Sequence, residues 1–177
     1  MAKEIVFGEE LRSRLLKGAL IFSKAVTKTM GPKSGTVMLN RMAGLLSTKD
    51  GVTVAREIQL RDPVENMGCE VLKEACVNVN DAVGDGTTTT ACLASALIQE
   101  SHKLIMAGYD PMEISKGLRE ASLKVREELI ENSQPISEEK DLENVAYIAC
   151  NGDREVAESL TEACLAVGKN GTVIIAD

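Results

Sequence analysis

The sequence has very few aromatic residues. Two Phe, two Tyr and no Trp make up 2% of its 177 residues, although apolar residues account for 44%. The core must therefore consist mainly of Ala, Val, Leu, Ile, Met and Cys. Such side chains suit packed helices better than a large aromatic-filled β-sandwich. They also leave few rings on which nucleic-acid bases could stack.

Basic residues are in deficit, and long apolar runs are missing. The chain has 20 Lys and Arg against 27 Asp and Glu, a net charge of −7 at pH 7. This balance argues against nucleic acid as a partner, because phosphates require a basic surface. The uncharged stretch from Gly86 to Gln99 is too short for a membrane span, which takes about 20 apolar residues. Because the N-terminus also has no signal-peptide region, the sequence predicts a cytoplasmic protein with no membrane partner.

The five cysteines form no C-x-x-C pair, and His102 is the one histidine. Neither a disulfide framework nor a zinc site is therefore expected. Cys69 and Cys76 lie seven residues apart in a helical pattern, which predicts that both face the core. His102 is predicted to lie on a helix surface, since no nucleophile motif accompanies it. Three methionines are expected to fill the core: Met67, Met106 and Met112.

Helical patterns dominate the chain. Apolar residues recur every three or four positions from Glu9 to Met30, which predicts an amphipathic helix that ends at Gly31-Pro32. Two later helices begin with an Asp cap, a Pro at the first helical position and a Glu at the third, as in a capping box. Their starts are Asp62-Pro63-Val64-Glu65 and Asp110-Pro111-Met112-Glu113. Further helices are predicted at 87–107, 142–150 and from the break at 151–153 to 167.

Two short β-rich segments, 36–40 and 45–48, predict a hairpin. Lys49-Asp50-Gly51 then predicts a tight turn in which Gly51 is free to take a positive φ. The segment 172–176 predicts a last strand that has no partner in the sequence. The polar composition around 132–135 makes this the candidate domain boundary.

The most unusual stretch is Gly84-Asp85-Gly86 followed by four Thr. Four Thr are poor helix formers, so local stability does not explain them. In the first turn of a helix they present free N–H groups, hydroxyl groups and the positive end of the helix dipole, which suits a phosphate. Asp85 could hold a Mg²⁺ ion that bridges phosphate oxygens. The alternative is a helix merely capped by Thr, because neither a Walker A nor a G-x-G-x-x-G motif occurs.

Two other segments are candidates for the same pocket. Thr29-Met30-Gly31-Pro32-Lys33 places Gly and Pro at a helix end, where helix termination alone would explain them. Lys49-Asp50-Gly51 could likewise be an ordinary turn. All three segments put Gly beside a polar group at an element boundary, as a composite nucleotide pocket requires.

Together these segments resemble the group I chaperonins of the GroEL type. The resemblance is carried by Thr-x-Gly-Pro-Lys at 29–33, the segment from Thr48 to Ile58, Glu-Asn-Met-Gly at 65–68 and Val-Gly-Asp-Gly-Thr-Thr-Thr-Thr at 83–90. It extends from Phe7 to the end of the chain but matches only the N-terminal portion of a longer subunit. We therefore expect a truncated or incomplete chain.

The resemblance implies a mainly α fold in two parts. Residues 1–131 would form the first half of an equatorial ATP-binding domain, a helical bundle with a small β-hairpin. Residues 132–177 would form the first segment of an intermediate, or hinge, domain that leads toward an absent apical domain. The hairpin would pair with the terminal strand of a neighbouring subunit.

The resemblance also assigns site residues. The nucleotide-contacting positions match Thr29, Met30, Gly31, Pro32 and Lys49, with Met30 standing where Leu is usual. Asp85 matches the magnesium ligand, and the phosphate-binding positions match Gly86, Thr87, Thr88 and Thr89. Asp50 matches a carboxylate near the γ-phosphate that supports hydrolysis, a catalytic role. Potassium is expected near Thr29, Lys49 and Thr88.

The implied function is that of an ATP-dependent protein-folding chaperonin subunit, with ATP and Mg²⁺, and K⁺ in addition, as cofactors. Its implied partners are identical subunits in a ring and unfolded or misfolded client proteins, with a co-chaperonin as a further candidate. The isolated 177-residue chain is expected to be inactive, because half of the nucleotide pocket is missing. The alternative is a naturally short chaperonin-like protein that binds partners without ATPase activity.

Overall fold

The structure, a computed structural model, describes residues 4–42, 44–168 and 171–175. Within these residues the chain forms seven α-helices and one two-stranded antiparallel sheet. The predicted fold class, mainly helical with a small β-hairpin, is confirmed. The helices are α1 Gly8–Val26, α2 Gly51–Glu57, α3 Pro63–Val83, α4 Thr87–Met106, α5 Pro111–Asn132, α6 Glu139–Ala149 and α7 Arg154–Val167. The strands are β1 Val37–Arg41 and β2 Gly44–Thr48.

The chain divides into two compact units, one up to Arg119 and one from Glu120 onward, and the division falls inside α5. The predicted boundary between residues 131 and 132 concerns chaperonin domains and stays a prediction. In the second unit α6 packs against α7 and buries Ala146, Ala157 and Thr161. None of the helices in the described part of the chain has the length and hydropathy that crossing a membrane requires.

The core of the first unit lies among α1, α2, α3 and α4. Its largest fully buried side chains come from α1, α2 and α3: Phe22, Val26, Val54, Leu72, Cys69 and Cys76. The prediction that Cys69 and Cys76 face the core is confirmed. Burial raises the pKa of both thiols, that of Cys76 to about 11, so both remain protonated near neutral pH.

Two glycines allow α1 and α3 to pack backbone to backbone. A Cβ atom at Gly18 would overlap the carbonyl oxygen of Glu65, and one at Gly68 would overlap that of Leu15. Both positions therefore require the absence of a side chain rather than a special backbone conformation. Lys17 on α1 forms an ion pair with Glu65 on α3 at the same crossing.

Asp62 has two roles at the start of α3. One carboxylate oxygen accepts hydrogen bonds from the N–H groups of Val64 and Glu65, at 3.0 and 2.9 Å. The other accepts from the guanidinium of Arg14 at 2.8 Å, and Arg14 also contacts Glu4 at 2.8 Å. Asp62 therefore caps α3 and joins it to α1.

These contacts make the stability contributed by Asp62 dependent on pH. The Glu65 N–H, followed by the Arg14 guanidinium, lowers the pKa of Asp62 below its ordinary value. The contribution is therefore complete above the unfolded pKa of about 4 and is lost as the pH falls through the lower folded pKa.

We expect Asp62→Asn, which keeps a capping side chain, to lower the thermal midpoint at pH 7. The difference from the unsubstituted chain should shrink at pH 3. A difference that is equal at both pH values would contradict this.

The first helix, α1, is shorter than its apolar pattern predicts. α1 ends at Val26, and residues 27–29 form a 3₁₀ turn rather than continuing to Met30. The Thr27 hydroxyl donates to the carbonyl of Ser23 and the Thr29 hydroxyl to that of Val26, both at 2.7 Å. Threonine side chains that bond back to the preceding turn in this way slightly destabilise and bend an α-helix, and 3₁₀ turns are common at helix ends.

Other predictions are wrong. Met67, Met106 and Met112 are exposed by 59%, 47% and 74%, so they do not fill the core of the described chain. Residues 172–175 are not a strand, and Ala176, the last residue of the predicted strand, lies outside the described residues. β-branched residues favour a strand only where a neighbour completes the hydrogen-bond ladder, and the described residues supply none there. His102 lies on α4 as predicted and is half-buried there, so its surface position is confirmed only in part.

Candidate functional site

Two left-handed glycines connect α3 to α4. Gly84 ends α3 with φ 81° and donates its N–H to the Asn80 carbonyl at 2.7 Å. Gly86 immediately precedes α4 with φ 91°. Both conformations strongly favour glycine. Between them lies the exposed Asp85, whose Oδ1 accepts the Gly86 N–H at 2.6 Å.

The N-terminus of α4 carries no side-chain cap within the described chain. Its first intrahelical bond runs from the Thr90 N–H to the Gly86 carbonyl at 2.8 Å, so the preceding N–H groups lie outside the helical ladder. The N-cap of α1, Phe7, also makes no side-chain capping bond. Four helices in the described residues are capped by an Asp: Asp50, Asp62, Asp110 and Asp153. The α4 terminus is therefore suited to an external anion.

The residues of the Thr run differ in accessibility. Thr87 is buried, Thr88 is half-buried and Thr89 is exposed. The buried Cys76 thiol donates to the Thr87 carbonyl at 3.4 Å and ties the start of α4 to α3. Thr87 can therefore offer a ligand its backbone N–H, while Thr89 can also offer a hydroxyl.

The prediction of a tight turn at Lys49-Asp50-Gly51 is wrong. Gly51 is the first residue of α2 and does not have a positive φ. Asp50 caps this helix, because its carboxylate accepts the N–H groups of Val52 and Thr53. The sequence does contain a signal for this helix. Asp50, a common N-cap residue, lies three positions before Thr53, and the apolar pair Val54 and Ala55 follows.

Gly51 is favoured by packing rather than by its φ angle. A Cβ atom there would overlap Thr88 Oγ1 and would lie 3.4 Å from Thr29 Oγ1. The two hydroxyl oxygens are 3.3 Å apart and form a hydrogen bond. One residue from each predicted segment therefore meets at this junction, and Asp50 is adjacent to it in the chain.

The other predicted residues are exposed next to this junction in sequence. Four of these residues are exposed to solvent: Met30, Gly31, Pro32 and Lys49. Gly31 has φ 81°, and no atom lies within 4 Å of a Cβ atom built there. Its conformation, and not a close contact, therefore calls for glycine. The roles assigned to all these residues stay predictions.

One carboxylate at this site, that of Asp85, is of the oxygen-donor type that Mg²⁺ prefers. No cluster of three or more His, Cys, Asp or Glu in the described residues could hold a metal by itself. Asp85 instead supplies one exposed carboxylate. Mg²⁺ commonly binds through one or two carboxylates, substrate phosphates and water rather than in a complete protein cage.

Comparisons with known proteins give one family. The model of the TCP-1/cpn60 chaperonin family matches residues 22–176. A similar solved structure is the chaperonin gp146 from the bacteriophage EL 2 (Pseudomonas aeruginosa), crystallised in the presence of ATP-BeFx. The sequences are 28% identical and the TM-score is 0.77; the match covers 89% of this chain and 28% of that chain. This chain therefore belongs to the TCP-1/cpn60 chaperonin family.

Proposed function

We propose that this chain supplies part of the ATP-binding domain of a cytoplasmic chaperonin subunit of the GroEL type. The subunit would hydrolyse ATP to drive the capture, encapsulation and release of non-native proteins within a ring of identical subunits. A co-chaperonin would be a further partner. The observation that carries this proposal is the uncapped start of α4, whose residue Thr88 contacts Thr29 and Gly51.

In this proposal the phosphates of ATP bind at the start of α4. The N–H groups of Thr87, Thr88 and Thr89 would donate to phosphate oxygens, and the helix dipole would favour their negative charge. Gly86 has no side chain, so its backbone can approach the ligand closely. The phage relative supports the proposal, since its structure was determined in the presence of a nucleotide analogue.

Exposed groups around the junction would complete this half of the pocket. Asp85 would hold Mg²⁺, which when bound neutralises charge on the phosphate oxygens. The Thr29 and Thr88 hydroxyls, with the backbone carbonyl of Lys49, would contribute oxygen ligands for K⁺. The nucleotide would also contact Met30, Gly31 and Pro32.

Asp50 is the proposed catalytic residue. Asp50 is the N-cap of α2, and the backbone of the next residue, Gly51, packs on Thr88. From there the Asp50 carboxylate would support the attack of water on the γ-phosphate, because it places a negative charge in a fixed orientation near the reacting groups. Positioning and charge neutralisation supply most of the rate in phosphoryl transfer.

The remaining parts of the machine would lie outside this sequence. The chain covers 28% of the phage chaperonin. We propose that residues 1–131 belong to the equatorial domain of the subunit that contains this chain, and residues 132–177 to its intermediate domain. Client binding and the second half of the nucleotide pocket would then require further chain. The hairpin of β1 and β2 would contact a neighbouring subunit.

ATP turnover by the natural gene product that contains this sequence tests the proposal. We expect magnesium-dependent release of phosphate from that product and no appreciable turnover by the isolated 177-residue chain. The same assay with EDTA is the control, because it removes the metal and leaves the protein intact. Absence of both turnover and ATP-induced thermal stabilisation in the natural product would instead favour a partner-binding protein without ATPase activity.

A further inference from the structure

A threonine in the first turn of α2 holds the carboxylate of Asp50. We propose that Thr53 is a positioning residue for Asp50 in ATP hydrolysis, an inference that rests on the proposed function. The Thr53 hydroxyl donates to Asp50 Oδ2 at 2.5 Å. This contact lies between a half-buried side chain and the exposed carboxylate.

Within the described residues three groups donate to the Asp50 side chain, and two of them belong to the backbone. The Val52 N–H donates to Oδ1 at 3.3 Å, and the Thr53 N–H donates to Oδ2 at 2.9 Å. Most residues at positions 52 and 53 would supply these two bonds. The Thr53 hydroxyl is therefore the one donor in this group that depends on the identity of a side chain.

The backbone around Asp50 is already fixed on both sides. The Asp50 N–H donates to the Thr48 hydroxyl at 3.0 Å, and the backbone of Gly51 packs on Thr88. The remaining freedom is rotation of the side chain about χ1 and χ2, and the χ2 torsion has a broad energy minimum in Asp. Two donors on the same oxygen, one of them the Thr53 hydroxyl, restrict this rotation.

A carboxylate restricted in this way is preorganised for a reaction that depends on orientation. If Thr53 served only to start α2, its loss would lower stability and leave the chemical step unchanged. If it positions Asp50, its loss lowers kcat and leaves ATP binding unchanged, because Thr53 belongs to neither the Thr87–Thr89 segment nor the Thr29–Thr88 pair. The two roles therefore differ in their effects on kcat and KM.

The test uses Thr53→Val, which has the shape of Thr without its hydroxyl, and Thr53→Ser, which restores the hydroxyl. Both are made in the natural gene product, and magnesium-dependent turnover is measured over a range of ATP concentrations, together with the thermal midpoint. We expect Thr53→Val to lower kcat by about tenfold with KM unchanged. Thr53→Ser should retain nearly the full kcat.

Three results would overturn the inference on its own: an unchanged kcat in Thr53→Val, an equal loss in both variants, or a rise in KM without a loss in kcat. Each would appear against normal turnover by the unsubstituted protein, so the proposed ATPase function would stand. If the unsubstituted protein has no turnover, the proposed function fails, and the role of Thr53 fails with it.

Discussion

Replacing Asp85 by Ala in the natural gene product is expected to abolish magnesium-dependent ATP turnover, a loss of roughly a hundredfold or more. Asp85 is exposed between two left-handed glycines, immediately before the uncapped start of α4. In our proposal its carboxylate holds the ion that neutralises the phosphates. The measurement is phosphate release at saturating ATP over a series of magnesium concentrations.

Two variants separate the charge of Asp85 from its local structural role. Asp85→Asn keeps an oxygen that can accept the Gly86 N–H, the bond that Oδ1 accepts in the structure, but removes the charge. We expect it to lose nearly as much turnover as Asp85→Ala. Asp81→Ala removes another exposed Asp, one on α3 that pairs with Arg56 of α2 at 3.1 Å, and should leave turnover close to normal. Full turnover in Asp85→Asn would refute the role of the carboxylate as a metal ligand.

Local signals predicted most of the helices. The Asp-Pro starts at 62 and 110 are both capped as expected, because capping depends on residues within one turn. The second half of the capping box fails at the first of these starts. Glu65 forms an ion pair with Lys17 of α1, so a tertiary contact replaces the predicted local one.

Longer-range contacts explain what the sequence did not predict. The motif Lys49-Asp50-Gly51 resembles a turn, but Gly51 is selected by the side chain of Thr88, which is distant in sequence. Residues 172–175 have the composition of a strand and are not one in the described structure, since composition cannot provide a pairing partner. Each of the three motifs proposed for the site is a short continuous segment and can be recognised in the sequence, whereas their meeting point at Thr29, Gly51 and Thr88 depends on the fold.

Gly18→Ala is expected to have the largest effect on stability. A Cβ atom at this position overlaps the carbonyl oxygen of Glu65, and a backbone atom inside a helix cannot move aside as a flexible side chain can. Overpacking of this kind costs about 3 kcal/mol, and the better helix propensity of Ala offsets about 1 kcal/mol. We expect the free energy of unfolding to fall by roughly 2 kcal/mol, measured by urea denaturation followed by circular dichroism.

Gly117→Ala is the matched control, because it makes the same substitution inside a helix where nothing lies within 4 Å of the new Cβ atom. There the gain in helix propensity acts alone, so this variant should be more stable by about 0.5 to 1 kcal/mol. Gly68→Ala tests the other side of the α1–α3 crossing, where the overlap is with Leu15, and should resemble Gly18→Ala. If Gly18→Ala and Gly117→Ala shifted stability in the same direction, the close approach of the two backbones would not exist in solution.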